Sequence, residues 1–139
     1  MSTTVPYQEL KAYLQTAFQP TPVLDFDSID PQLEQSNNPF LCIEEIVGFE
    51  DLISIGDPSA LCFREEVDFL VHAFVPSPES SALARQLAEQ VMVSLRLRNL
   101  GATRVSKLEP PEPEDANDGL WTVYGITVSL INDFRFAAP

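Results

Sequence analysis

F-R-E-E-V-D-F-L-V-H-A-F-V, from Phe63 to Val75, is the stretch on which the fold turns. Val67, Phe69, Val71, Ala73 and Val75 alternate with Asp68, Leu70, His72 and Phe74, the period of two that predicts a strand. Pro76-Ser77-Pro78 breaks the pattern, and E-S-S-A-L-A-R-Q-L-A-E-Q-V-M-V-S-L-R-L follows from Glu79 to Leu97. There Leu83, Ala84, Leu87, Ala88, Val91 and Leu95 share one face of a helix. Ser77 is placed to cap it, Pro78 suits the first helical position, and Glu79 complements the positive helix end. Gly101 is expected to stop the helix in the left-handed conformation.

The rest of the chain extends or covers this unit. On the N-terminal side, Pro6 to Phe18 reads as a helix with Tyr7, Leu10, Leu14, Ala17 and Phe18 as its apolar stripe and Thr4 as its cap. Pro20 and Pro22 end it. Pro22 to Phe26 is a short strand, and Asp27 to Asn38 a polar loop with a helical turn at Pro31 to Glu34. Phe40 to Phe49 is a strand apolar on both faces, and Glu50 to Ser59 a turn region around Gly56-Asp57-Pro58. On the C-terminal side, Ala102 to Leu108 is a short strand, Glu109 to Gly119 an acidic, proline-rich loop, and Leu120 to Phe136 a long strand. Both faces of that last strand are partly apolar, which suits a central position or a second face covered by another subunit. The order α-β-β-β-α-β-β with short connections predicts an α+β fold. It is a mostly antiparallel sheet with two helices packed on one face, in one domain spanning residues 1–139.

No apolar run reaches transmembrane length, and no basic-then-apolar leader opens the chain, so a soluble cytoplasmic product is expected. Twelve prolines against five glycines make the connections stiff. The net charge of −13 argues against gripping a nucleic-acid backbone, which needs Lys and Arg to displace counterions. It does not exclude lying beside DNA that slides past. Cys42 and Cys62 form neither a disulfide framework nor a CxxC site and are expected as buried thiols.

The residue types that carry catalysis give no positive signal. His72 is the lone histidine, and on a continuous strand Cys62 would lie roughly 33 Å away. His72 therefore reads as a packed or edge histidine without a catalytic partner. Asp25, Asp27 and Asp30 lack the glycine and distal glutamate of a calcium loop. One His and two separated Cys cannot build a structural zinc site. Members of Glu44-Glu45 and Glu65-Glu66 could meet across strands and share a raised pKa, but strand ends or subunit contacts account for them more simply. Five scattered glycines form no phosphate loop, and neither GxSxG nor HExxH occurs. The expectation is a protein that is not an enzyme and needs no cofactor or metal.

Charge distribution is more informative. Arg85, Arg96, Arg98, Arg104 and Lys107 are five of the eight basic residues. Glu109, Glu112, Glu114, Asp115 and Asp118 follow at once. Arg96 and Arg98 complement the negative end of the helix. Beyond that, the pattern predicts a head-to-tail subunit contact, with Arg96, Arg98, Arg104 and Lys107 facing Glu112, Glu114, Asp115 and Asp118 of the next copy.

In layout the chain resembles the tail terminator proteins of long-tailed bacteriophages. The similarity lies in the N-terminal helix leading to P-V-L-D-F (Pro22 to Phe26), in R-E-E-V-D-F-L-V-H-A-F-V-P (Arg64 to Pro76) followed by S-A-L-A-R-Q-L-A-E-Q-V, and in W-T-V-Y-G-I-T-V-S-L (Trp121 to Leu130). The segments Asp27 to Glu34 and Glu109 to Asp118 are longer or more acidic than the family pattern. The resemblance implies a structural virion protein that forms a homo-oligomeric ring, hexameric in the family, at the head-proximal end of a tail. It implies capping of the tail tube, an end to tube polymerisation, and contact with the major tail tube protein and a neck or head completion protein. DNA would pass through the lumen without specific binding, and assembly would occur in the host cytoplasm. The alternatives are a related neck or minor tail protein, or a small cytoplasmic module holding a ligand or metal at Asp25, Asp27 and Asp30.

Overall fold

The structure, a computed structural model, describes residues 4–19, 21–25, 38–54, 61–76, 81–96, 98–114 and 121–136. Among these described residues two helices, α1 (Thr4–Ala17) and α2 (Ser81–Leu95), accompany six strands: β1 (Val23–Asp25), β2 (Phe40–Ser54), β3 (Leu61–Pro76), β4 (Thr103–Leu108), β5 (Glu112–Glu114) and β6 (Trp121–Phe136). The strands make one sheet in the order β1-β2-β3-β6-β4, with β5 also on β6. All pairings are antiparallel except β1 with β2, which is parallel over Val23–Asp25 and Leu41–Ile43. The α+β class is as expected. The order differs by one strand, β5, inside the segment expected to be loop.

The alternation of β3 decides which residues meet the helices. Val67, Phe69, Val71 and Ala73 point to one face and are buried with Leu41 and Ile43 of β2 and Ile126, Val128 and Leu130 of β6. Leu10 and Leu14 of α1 and Ala88, Val91 and Leu95 of α2 close over them. Each fully buried Leu, Ile or Phe contributes about 1.5–3 kcal/mol by leaving water, so this two-layer core is the main stabilising term. Leu83 and Ala17, expected in the apolar stripes, are instead exposed at the helix margins.

Polar bonds fix how α1 sits. Its Glu9 carboxylate accepts from the Ala102 N–H at 2.8 Å and from the Thr103 hydroxyl. Lys11 pairs with Asp25 at 3.2 Å, and the Tyr13 hydroxyl donates to the Ser94 carbonyl at 2.9 Å. Gly101 has φ of 126°, but it does not end α2, which stops at Leu95. It forms the turn in which Leu100 N–H bonds the Thr103 carbonyl at 2.7 Å. A side chain there would meet the Glu9 carboxylate, so the positive φ and the close approach demand glycine together.

The strand from Phe40 does not end at Phe49. It runs on to Ser54, paired with β3 through Ser54 and Cys62 across two irregularities of register. Ser77, Pro78 and Glu79, the Pro31–Glu34 turn, the Gly56-Asp57-Pro58 turn and Asp118-Gly119 lie outside the described residues.

Candidate functional site

The second face of the sheet is banded along the strands. At one end Phe40, Cys42, Trp121 and Val123 are buried, with Leu24 and Phe74 against them. Phe40 stacks on Phe74 at 4.7 Å, and Trp121 meets Phe40 edge-on at 5.2 Å. Further along, the Ser129 hydroxyl donates to Asp68 at 2.7 Å. At the far end Arg64 grips Asp133 through two bonds of 2.8 and 3.2 Å, with Arg104 at 3.5 Å. The Arg64 hydrogen bond, its charge and that of Arg104 outweigh desolvation and hold the Asp133 carboxyl below its usual range.

Between these bands lies His72, buried on the middle of β3. Its Nε2 is 3.0 Å from Glu44 of β2, and its Nδ1 is bonded to Glu114 of β5. Gly125 of β6 lies directly across from His72. A Cβ there would come within 3.0 Å of the Glu114 carboxyl and 3.2 Å of Leu70. The missing side chain is therefore what lets Glu114 reach over β6 to the imidazole. Burial works against a charged ring, but the hydrogen bonds and charges of Glu114, and then of Glu44, prevail and raise its pKa above the ordinary histidine value. The raised value favours the imidazolium, which can donate from both ring nitrogens, one to each carboxylate.

His72 is buried on its strand, as a packed histidine was expected to be, and two carboxylates engage it. Sequence reasoning found neither Glu44 nor Glu114 as its neighbour. The usable signal was an isolated glycine inside the long strand at 125, which marks a close approach. The carboxylates bind opposite ring nitrogens and do not converge on one point, and among the described residues no group of three or more acidic, His or Cys side chains is arranged to hold a metal. β3 is unbroken from Leu61 to Pro76, so Cys62 stays ten positions from His72. The Glu44-Glu45 and Glu65-Glu66 pairs do not oppose one another: Glu44 and Glu45 face Leu70 and Phe69, and Glu65 and Glu66 face Glu50 and Phe49. Asp25 is tied to Lys11, while Asp27 and Asp30 lie outside the described residues.

A comparison with the models of known protein families finds no match, and neither does a comparison with curated proteins.

The residues expected at a subunit contact fall as follows. Arg96, Arg98, Arg104 and Lys107 are all exposed. Arg98 lies over the Tyr13 ring at 5.3 Å and donates to the Ser94 carbonyl at 3.2 Å, and Lys107 approaches Glu109 at 3.5 Å. Glu112 is exposed, whereas Glu114 is turned onto His72. Asp115 and Asp118 lie outside the described residues. Arg104 and Glu112 occupy the same sheet edge, opposite Ile131 and Gly125 of β6, hence roughly 20 Å apart at about 3.4 Å per residue. Among the described residues no helix is long and apolar enough to cross a membrane.

Proposed function

We propose that this chain is a structural subunit of a homo-oligomeric ring, of the tail terminator kind, that caps a phage tail tube and joins it to the neck. The observation that supports the reading is the segregation of exposed charge. In a chain of net charge −13, Arg96, Arg98, Arg104 and Lys107 gather where α2 ends and β4 runs along the sheet edge. Such a basic margin on an acidic molecule fits an acidic partner, and another copy of the chain is the partner always at hand. Hexameric closure, an acidic lumen that lets DNA pass, and docking to tube and neck belong to the same proposal through the resemblance in layout. His72 fits a structural subunit too, since both its nitrogens are engaged by the chain's own carboxylates.

The test is the mass of the purified protein in solution, alone and with the tail-tube protein of the same phage. Rings alone, or rings on tube ends, are the expected result. A chain that stays monomeric in both conditions overturns the reading.

A further inference from the structure

We infer that β5 is a strap: the protonated His72 ring holds it against β6, and it swings away when the ring loses its proton. The strap goes beyond the ring reading and does not depend on it.

The chain makes β5 easy to detach. It is three residues long, with Glu112 opposite Gly125, Pro113 opposite Tyr124 and Glu114 opposite Val123. Pro113, at its centre, has no N–H to give to the ladder. Among the described residues β5 pairs with β6 alone, and its Glu112 and Pro113 are exposed. On the side of β4 the Glu109 N–H still donates to the Thr127 carbonyl at 3.0 Å. Pro110 and Pro111, which have no N–H either, separate that anchor from β5. So short a ladder, with so little burial, opens at small cost. What adds to its hold is the reach of Glu114 to the His72 ring, through the passage that the missing side chain of Gly125 leaves clear.

The groups around the ring decide the direction of the switch. Among the described residues, β2 brings Glu44, 3.0 Å from Nε2, and the buried Cys42 directly across from His72. β5 brings Glu114, with Glu112 exposed beside it. β6 brings Gly125 and Thr127, neither of them charged. On β3 itself Asp68 accepts from the Ser129 hydroxyl, and Arg64 is taken up by Asp133. A neutral ring has one N–H for two carboxylates. If Nδ1 keeps it, the bond to Glu114 loses its charge assistance, which about halves it. If Nε2 keeps it, a lone pair faces Glu114. Either way two carboxylates close on an uncharged, buried ring, and β5 is held less. β2 is laddered to β3 from Phe40 to Ser54, so the three residues of β5 are the part that yields. Burial lowers the pKa of His72, but Glu114 and then Glu44 raise it above the ordinary value. The strap is therefore closed below the unfolded value of about 6.5 and opens as pH rises through the folded value. Opening uncovers the backbone N–H and C=O groups of β6 at residues 123–125 and brings the imidazole within reach of water.

The experiment is a pH series from about 6 to about 9 on the full-length chain and on E114Q. His72 is the only histidine, so its ring nitrogen shifts give the protonation midpoint without ambiguity. Amide exchange in β5 and at residues 123–125 is measured as a ratio to exchange at Val128 and Leu130 of the same strand, which cancels the intrinsic effect of pH. In the wild type the ratio should rise about tenfold across the His72 midpoint, as a charge-assisted bond is lost. In E114Q, which keeps the shape and removes the charge, it should stay level. Circular dichroism melts check that E114Q folds, and H72Q, with the same level ratio expected, replaces it if it does not. A wild-type ratio that stays level through the His72 titration, or a variant ratio that rises as the wild type's does, overturns the strap. Neither result bears on the mass of the assembly, so strap and ring stand or fall separately.

Discussion

A positive charge on the buried His72 is favoured because two strands bring carboxylates to its two nitrogens. Its raised pKa means that the folded chain binds this proton more tightly than the unfolded chain. The resulting stability is fully present below the unfolded value of about 6.5 and is lost as pH rises through the folded value. H72Q keeps a donor but carries no charge and leaves one carboxylate uncompensated. Below about pH 6.5 it should cost about 1–3 kcal/mol. Its urea midpoint should also vary less than the wild type's across about pH 5.5–8.5, above the usual carboxylate range. Parallel pH profiles for the two chains would show that the imidazole is not charged in the fold. The sequence made His72 legible as a strand residue and no more. Glu44 precedes it by 28 positions and Glu114 follows by 42. Only the pairing registers bring three such distant residues together, and alternation alone does not set register.

At the scale of elements, β3 and α2 were readable because each keeps one period of burial throughout. β2 was read short because Glu50 and Asp51 resemble a turn, yet β3 supplies its ladder of partners as far as Ser54. β5 was missed because E-P-E between prolines denies a strand its donors. It exists because an edge strand can spare a donor, and because Glu114 is drawn to His72. The link between α1 and β4 hangs on one carboxylate. E9A should free the buried Thr103 hydroxyl and the Ala102 N–H, costing about 1–3 kcal/mol in urea unfolding. It should also speed amide exchange between Leu100 and Arg104 relative to the centre of β3. Uniform exchange across both regions would show that Glu9 does not anchor this turn.

For the whole molecule, assembly of the proposed ring through exposed charge would make stability depend on conditions that leave a monomer untouched. Assembly favours the folded state by mass action, so the midpoint of thermal unfolding should rise with protein concentration. It should fall between about 0.01 and 0.15 M salt, as screening shortens from about 30 to 8 Å. A midpoint indifferent to both would count against assembly through exposed charge. The α+β layout and the two helices on one face were legible in the sequence, because hydrophobic periods specify layers. The side-by-side order of the strands was not, because it is a property of the fold that hydrophobic periods do not set. Of the acidic residues named as partners for Arg104 and Lys107, Glu112 lies on the same sheet edge and Glu114 is turned onto His72.

The aromatic band has an optical consequence. Trp121 is the chain's single tryptophan, and it is wedged against Phe40 and Phe74 on the face away from the helices. Its fluorescence therefore reports on that face alone, whereas the far-ultraviolet dichroism of α1 and α2 reports on the other. Melting curves from the two signals superimpose if the sheet binds both layers into one cooperative unit. They separate if the aromatic layer loosens first, so the chain carries its own gauge of whether its two faces come apart together.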